Sequence, residues 1–179
     1  RSEAVGSEVT LFQPGDEVYY AGDITRSGSN AQFQLVDARI VARKPASLDF
    51  PGAAALPLTV LTAWELLFER MPYAIDGGGA GKTLLVIGGA GGVGSIAIQL
   101  ARLAGFTVIA TASRDETAAW CRSLGADHVI DHRQALAPQL QALGLDAVDA
   151  ALNLADTDRY WDALGELLAP QGHVGLIVE

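Results

Sequence analysis

The pattern of apolar and polar positions changes character along the chain. From Val9 to Val41 it is β-like and broken by turn residues: Pro14-Gly15-Asp16 precedes Val18-Tyr19-Tyr20, and Gly22-Asp23, Ser27-Gly28-Ser29-Asn30 and Val36-Asp37 follow. Ala31 to Val36 alternates like a strand with one wet face, and Val5 to Val9 reads as the middle of another. These strands are too few to close a barrel, so the segment reads as the tail end of an all-β unit. Ser47 is placed to cap a helical region that includes Ala53 to Leu56, breaks at Pro57 and resumes from Thr59 to Met71, with Trp64, Leu67 and Phe68 among its buried candidates. Pro72 and the glycine-rich stretch 76–81 end it.

Beyond Lys82 the pattern becomes a strict alternation. Leu84 to Ile87 is short, apolar and closed by glycines, as in a strand covered on both faces. Val93, Ile96, Ala97, Leu100, Ala101 and Ala104 then recur at helical spacing. Phe106 to Thr111 is a second strand, and Ser113-Arg114-Asp115-Glu116 has the form of a capping box for a helix through Trp120 to Leu124 that stops at Gly125. His128 to Asp131 is a third strand, Gln134 to Leu143 a helix interrupted by Pro138, and Ala147 to Leu152 a fourth strand. Tyr160, Trp161, Leu164, Leu167 and Leu168 mark a helix closed by Pro170 and Gly172, and His173 to Val178 is a fifth strand. Strand alternating with helix five times predicts an α/β, doubly wound parallel sheet with its ligand cleft at the carboxyl ends of the strands. Such a sheet usually has six strands, so the last is expected to be missing.

The turn after the first sheet strand carries the chemistry. Gly89, Gly91 and Gly94 satisfy the G-x-G-x-x-G spacing of a dinucleotide-binding turn. The first glycine permits the tight turn, the second lets backbone approach a pyrophosphate, and the third lets helix and strand pack closely. Helix N–H groups and the helix dipole then face the phosphates. Gly81-Lys82-Thr83 resembles the end of a P-loop, but that spacing requires glycine where Asp76 stands, and the loop would have to follow a strand. An NAD-type site closes its second strand with a carboxylate. Here Ala112-Ser113-Arg114 occupies that place, and a guanidinium with a hydroxyl suits the 2′-phosphate of NADP. Ser113 could instead only cap its helix, Arg114 could be a solvated charge, and Asp115 and Glu116 lie close enough to compete for the carboxylate role. His132, at the end of the third strand, is placed to lie beside adenine. His128 and His173 read as structural, and no two histidines have metal-ligand spacing.

Composition narrows the field. Half of the 179 residues are apolar, enough for one α/β domain and part of a second. Twelve basic against 21 acidic residues give a net charge of −9, which argues against a general affinity for nucleic acid. No apolar run is expected to reach the ~20 residues that cross a bilayer, and the reading is of a cytoplasmic protein. The single Cys121 excludes an internal disulfide and a multi-cysteine zinc site, and reads as a small buried residue. The chain reads as a piece of something longer. An S-adenosylmethionine methyltransferase would want an acidic residue where Ala112 and Ser113 sit.

The order of motifs resembles the medium-chain dehydrogenase/reductase superfamily, in particular its zinc-independent quinone oxidoreductase branch and the zinc-type alcohol dehydrogenase-like proteins. The residues that carry this are Pro14 to Val18, Gly28 to Phe33, Lys44-Pro45, Ala53 to Thr59, Thr62-Ala63, Gly89 to Gly94, Ser123 to Asp127 and Val129 to Asp131. The resemblance implies a remnant of a GroES-like β domain over residues 1–45, connecting helices and a loop over 46–80, and a truncated NADP-binding Rossmann domain over 81–179. It implies that Gly91, Gly92, Val93 and Gly94 cradle the pyrophosphate and that Ser113 and Arg114 take the 2′-phosphate. His132 stands where the branch commonly has tyrosine near the adenosine. Thr62 falls in the family's Thr-Ala pair near the nicotinamide, Ile177 ends the strand beneath it, and Asn153 is a further candidate contact. The family's four-cysteine lobe is absent, as is most of the β domain that would hold catalytic zinc ligands and shape the substrate pocket. The expectation is the cofactor portion of an NADPH-dependent reductase of a quinone or α,β-unsaturated carbonyl, a homodimer when intact, inactive as this piece alone and with no general acid assigned. The rival reading is a non-catalytic NADP-binding sensor or structural module.

Overall fold

In the computed structural model, which describes residues 1–177, the chain divides into two units, residues 1–58 and residues 59 onward. The first unit holds little regular structure. Two-residue strands, β1 (Val18–Tyr19) and β2 (Ala42–Arg43), pair antiparallel, and a 3₁₀ turn over Ala38–Ile40 is capped by the Asp37 carboxylate, which accepts from the Arg39 N–H. The strand expected at Ala31 to Val36 does not form. Its alternation has no neighbouring strand to pair with, so Phe33 and Leu35 stay 67% and 85% exposed. Val5 to Val9 likewise forms a turn, closed by the Val9 N–H on the Gly6 carbonyl. Lys44 is the anchor of this unit: its Nζ donates to the carbonyls of Pro45 and Leu48, pairs with Glu17 at 3.3 Å and lies over the Phe50 ring.

Helix α1 (Phe50–Ala54) starts two residues later than a cap at Ser47 would place it. Its cap is Asp49, whose carboxylate accepts from the Gly52 N–H at 2.8 Å, with Pro51 in the first turn where its missing N–H costs nothing. Pro57 likewise opens helix α2 (Pro57–Trp64), which continues into a π-helical turn, Glu65–Arg70, closed by the Met71 N–H on the Leu66 carbonyl. By length and mean hydropathy alone the 21-residue segment Phe50–Arg70 matches a membrane span, yet it is not one apolar run: Pro51, Pro57, Glu65, Glu69 and Arg70 interrupt it. In this fold its Leu66 and Leu67 are buried in the sheet core.

The second unit is built on a sheet of five parallel strands: β3 (Thr83–Ile87), β4 (Thr107–Thr111), β5 (His128–Ile130), β6 (Val148–Asn153) and β7 (Leu168–Leu176), in the order β5-β4-β3-β6-β7. Strand side chains alternate between faces, and the core divides accordingly. On one face Leu84, Val86, Val108, Ala110 and Leu152 pack with Leu66, Leu67, Ala97, Ala101 and Cys121; on the other Leu85, Ile87, Ile109, Val148 and Ala151 pack with Leu140, Tyr160, Leu164 and Leu167. Helices α3 (Gly92–Leu103) and α4 (Asp115–Ser123) thus cover the first face, and α5 (Leu136–Ala142) and α6 (Thr157–Leu167) the second. Leu84 to Ile87 are fully buried because β3 is the central strand with both faces covered.

Three helix ends differ from expectation. Ser113 does not cap α4: Arg114 holds the cap position, and the Thr117 hydroxyl accepts from its N–H and donates to its carbonyl. Pro138 does not interrupt α5 but lies in its first turn, where no helical N–H is needed. Helix α6 ends at Leu167, so Leu168 already belongs to β7 beside Val148. Pro170 to Gly172 therefore form an irregularity inside β7, with Gln171 at φ +63°, before His173 resumes pairing opposite Ala150. The strand ends at Leu176, so Ile177 follows it, and Val178 lies outside the described residues.

Candidate functional site

The link between β3 and α3 is shaped by what its glycines lack. Gly88 has φ +85°, a left-handed conformation that glycine adopts without strain, so the sharp turn falls one residue before the first glycine of the motif. A methyl on Gly89 would lie 2.8 Å from the Ala110 Cβ and 3.3 Å from the Cys121 Sγ, and one on Gly94 only 2.3 Å from the Gly88 carbonyl oxygen. Gly94 is thus where the helix closes onto the turn. A methyl on Gly91 would meet only the Gly88 oxygen, at 3.3 Å, and one on Gly92 the Thr59 methyl at 3.1 Å. Gly91 and Gly92 are exposed, and their outer side forms a cradle that a side chain would fill.

Gly91 occupies the cap position of α3, and having no side chain it cannot cap the helix. Its N–H donates to the Gly88 carbonyl at 3.0 Å and its carbonyl accepts from Ser95. The N–H groups of Gly92, Val93 and Gly94 therefore stand in the helix's first turn without a capping oxygen, where the positive end of the dipole favours an anion.

The neighbouring strands bring the other candidates to the same rim. Pairing aligns Ile87 with Asn153, Asn153 with Leu176, and Thr111 with Ile130, so the turns after β3, β4, β5, β6 and β7 all open at the carboxyl edge of the sheet. After β4, Ser113 is half-buried and Arg114 exposed; among the described residues the Arg114 guanidinium has no ion pair. Asp115 and Glu116 lie in the first turn of α4, where carboxylates complement the helix dipole. After β5, Arg133 is committed to Asp131 through two of its nitrogens at 2.7 to 3.1 Å, which holds the Asp131 carboxyl down at about 2. His132 between them is half-buried, its carbonyl accepting from Arg159 at 3.1 Å and from the Tyr160 hydroxyl at 3.4 Å.

Asn153, at the end of β6, is fully buried; its amide accepts from the Ala155 N–H and donates to the Asp156 carbonyl, both at 3.3 Å, bracing the turn into α6. Ile177 is exposed just beyond β7. Thr62 is half-buried on α2, one turn after Thr59, whose methyl a side chain on Gly92 would meet. His173 belongs to the opposite end of the sheet, with Tyr73, whose hydroxyl lies 3.5 Å from its Nδ1, and with Asp149, which binds the Thr83 N–H at 2.7 Å.

Two participants escape the motif reading. Thr111 closes β4 with a buried hydroxyl that accepts from the Gly88 N–H at 3.0 Å, and its only signal is a polar residue at the end of an apolar run. The half-exposed Trp120 donates from its indole to the Ser95 hydroxyl at 2.9 Å, tying α4 to the first turns of α3, which no local spacing announces. Cys121, beneath Gly89, is buried, and burial pushes its thiol upward, the wrong direction for a nucleophile. Two clefts of about 870 and 610 Å³ lie within the first unit and include no residue of the glycine turn.

With this geometry in place, a family model described as "Zinc-binding dehydrogenase" matches residues 92–177. A zinc-type alcohol dehydrogenase-like protein of Staphylococcus aureus is 46% identical over 177 residues, covering 98% of this chain and 53% of the relative. A solved structure from Rhizobium etli, of the zinc-dependent alcohol dehydrogenase type, is 54% identical with a TM-score of 0.88, over 98% of this chain and 52% of that one. A quinone oxidoreductase from Pseudomonas syringae is 32% identical with a TM-score of 0.82, over 96% and 51%. The chain spans about half the length of the curated relatives it matches. Zinc figures in several of these descriptions, but among the described residues no three His, Cys, Asp or Glu side chains come together as a donor set. The described residues thus do not fit that metal.

Proposed function

Because the chain belongs to the medium-chain dehydrogenase/reductase superfamily, we propose that it is the cofactor-holding portion of an NADPH-dependent oxidoreductase that reduces a quinone or an α,β-unsaturated carbonyl. The observation that carries the cofactor choice is the end of β4. A guanidinium without an ion pair among the described residues and a half-buried hydroxyl stand where an NAD site places a carboxylate, while Asp115 and Glu116 are accounted for by the start of α4. The two substrate classes share one feature, an electron-poor carbon conjugated to a carbonyl, and the likeness to a quinone oxidoreductase supports that choice.

In this reading the N–H groups of Gly92, Val93 and Gly94 hold the pyrophosphate, whose approach is open because Gly91 and Gly92 carry no side chains. Arg114, with Ser113, holds the 2′-phosphate through charge-assisted hydrogen bonds. His132 flanks the adenine, and Thr62, Asn153 and Ile177 belong to the nicotinamide side. The bound nicotinamide would supply the hydride; the chain's part is to fix its orientation against the acceptor carbon.

Calorimetric titration with NADPH and NADH tests the assignment. NADPH is expected to bind more tightly, and Arg114→Ala to weaken NADPH about 10- to 100-fold, as losing a charged hydrogen bond of about 1.5–3 kcal/mol would, while leaving NADH unchanged. Equal affinities that ignore the substitution would refute the role of Arg114. Absence of NADPH oxidation by the intact parent across a panel of quinones and enones would refute the reductase.

A further inference from the structure

We propose that Thr111 is a positioning residue of this site, whose hydroxyl fixes the Gly88 peptide and through it the N–H groups of Gly92, Val93 and Gly94. The inference rests on the cofactor reading above and adds a residue outside the glycine motif. Among the described residues two polar side chains are buried, Thr111 at 1% and Asn153 at 0% exposure. Both stand level with Ile87, one on each flanking strand: Ile87 is paired with Asn153, and the Val86–Ala110 pair puts Thr111 beside it on the other side. The end of β3 is thus flanked on both sides by a buried polar residue, of which Asn153 braces the link into α6 and Thr111 holds the turn after β3.

The grip on the β4 side acts on the turn itself. At φ +85° Gly88 turns the chain away from the strand just beyond the last β3–β4 register pair, and its N–H, on a half-buried residue, is met from the buried end of β4. The Thr111 Oγ1 meets it at 3.0 Å. The Gly88 carbonyl in turn accepts from the Gly91 N–H at 3.0 Å and lies 2.3 Å from where a Gly94 Cβ would stand. One residue therefore connects a buried hydroxyl, the cap of α3 and the third glycine of the motif. Replacing the hydroxyl by a methyl of similar shape leaves the Gly88 N–H orphaned, and the turn must move to rehydrate it.

The experiment compares Thr111→Val and Thr111→Ser with the unaltered chain, titrating each with NADPH and with adenosine 2′-monophosphate, which carries the 2′-phosphate and no pyrophosphate. The valine variant is expected to bind NADPH about tenfold more weakly, equivalent to about 1.4 kcal/mol, with adenosine 2′-monophosphate within about twofold and the serine variant restored. A valine variant that binds NADPH as the unaltered chain does, or that loses both ligands equally, overturns the inference. If the unaltered chain binds no NADPH, the cofactor reading itself fails. Amide hydrogen exchange of the unaltered chain supplies a test independent of ligand and variant. The Gly88 N–H is expected to be protected, and exchange at the rate of an exposed amide would overturn the proposal.

Discussion

Gly94 and Gly91 share a motif and face opposite constraints. A methyl at Gly94 meets backbone oxygens at 2.3 and 2.7 Å, neither of which belongs to a side chain that can swing away. Gly94→Ala is therefore expected to lower stability by about 1–3 kcal/mol, as overpacking does, and to weaken cofactor binding with it. Gly91→Ala asks the Gly88 carbonyl to yield by only a few tenths of an ångström, and its φ of −73° suits alanine. That variant should lose about 1 kcal/mol or less, the scale of an N-cap change, while still losing affinity because the methyl fills the cradle. Urea midpoints set beside NADPH titrations separate the two, and equal midpoints for both variants would contradict the packing argument. The glycine spacing announced this turn; the partner that holds it was hidden, because Thr111 is a strand residue 23 positions away from Gly88 whose hydroxyl matters only once β4 lies beside β3.

Among the elements, the link from β5 to α5 shows how a short strand is finished without a cap. The Gln139 side chain accepts from the Asp131 N–H at 2.8 Å and donates back to the Asp131 and Ala135 carbonyls, while the Asp131 carboxylate receives the Arg133 guanidinium and N–H. Those donors hold Asp131 at about 2, below its unfolded value near 4. A folded value below the unfolded one means that the contribution is complete above about pH 4 and is lost as pH falls toward about 2. Asp131→Asn should thus remove part of the stability change between about pH 4 and pH 2 and lower stability above about pH 4, modestly because the exposed Arg133 guanidinium leaves the pair screened by solvent. An Asp131 carboxyl that titrates near 4 in a carbon-detected NMR experiment would contradict this. The same link shows why helix ends were the least legible elements. Pro138 looked like a breaker because its meaning depends on distance from a helix start, and that start, Ala135, carries no capping side chain. Ser113 looked like a cap because Glu116 stands at the right spacing, yet Thr117 holds the Arg114 backbone one residue further on.

At the scale of the molecule, nearly all the burial belongs to residues 59 onward. Of the buried apolar residues, only Ala53 comes from the first unit, which instead exposes Leu11, Ile24, Phe33 and Leu35. Brief trypsin treatment should therefore cut first after Arg26 and Arg39, leaving the sheet with its helices as a resistant product identified by mass. Early cleavage after Arg102 or Arg122 would refute that order. The asymmetry also explains what the sequence could convey. Leu84 to Ile87 or Val108 to Ala110 are apolar on every side because the sheet is covered twice, so the pattern and the fold coincide. The alternation of Ala31 to Val36 needs a partner strand to become structure, and among the described residues none pairs with it. A dinucleotide laid along the carboxyl rim would touch segments from Thr62 to Ile177, on both sides of the divide between β3 and β6. It would then act as a tether, closing between distant parts of one chain a loop that backbone alone leaves open. Its binding free energy would be felt in the unfolding of the whole sheet rather than at the turn alone.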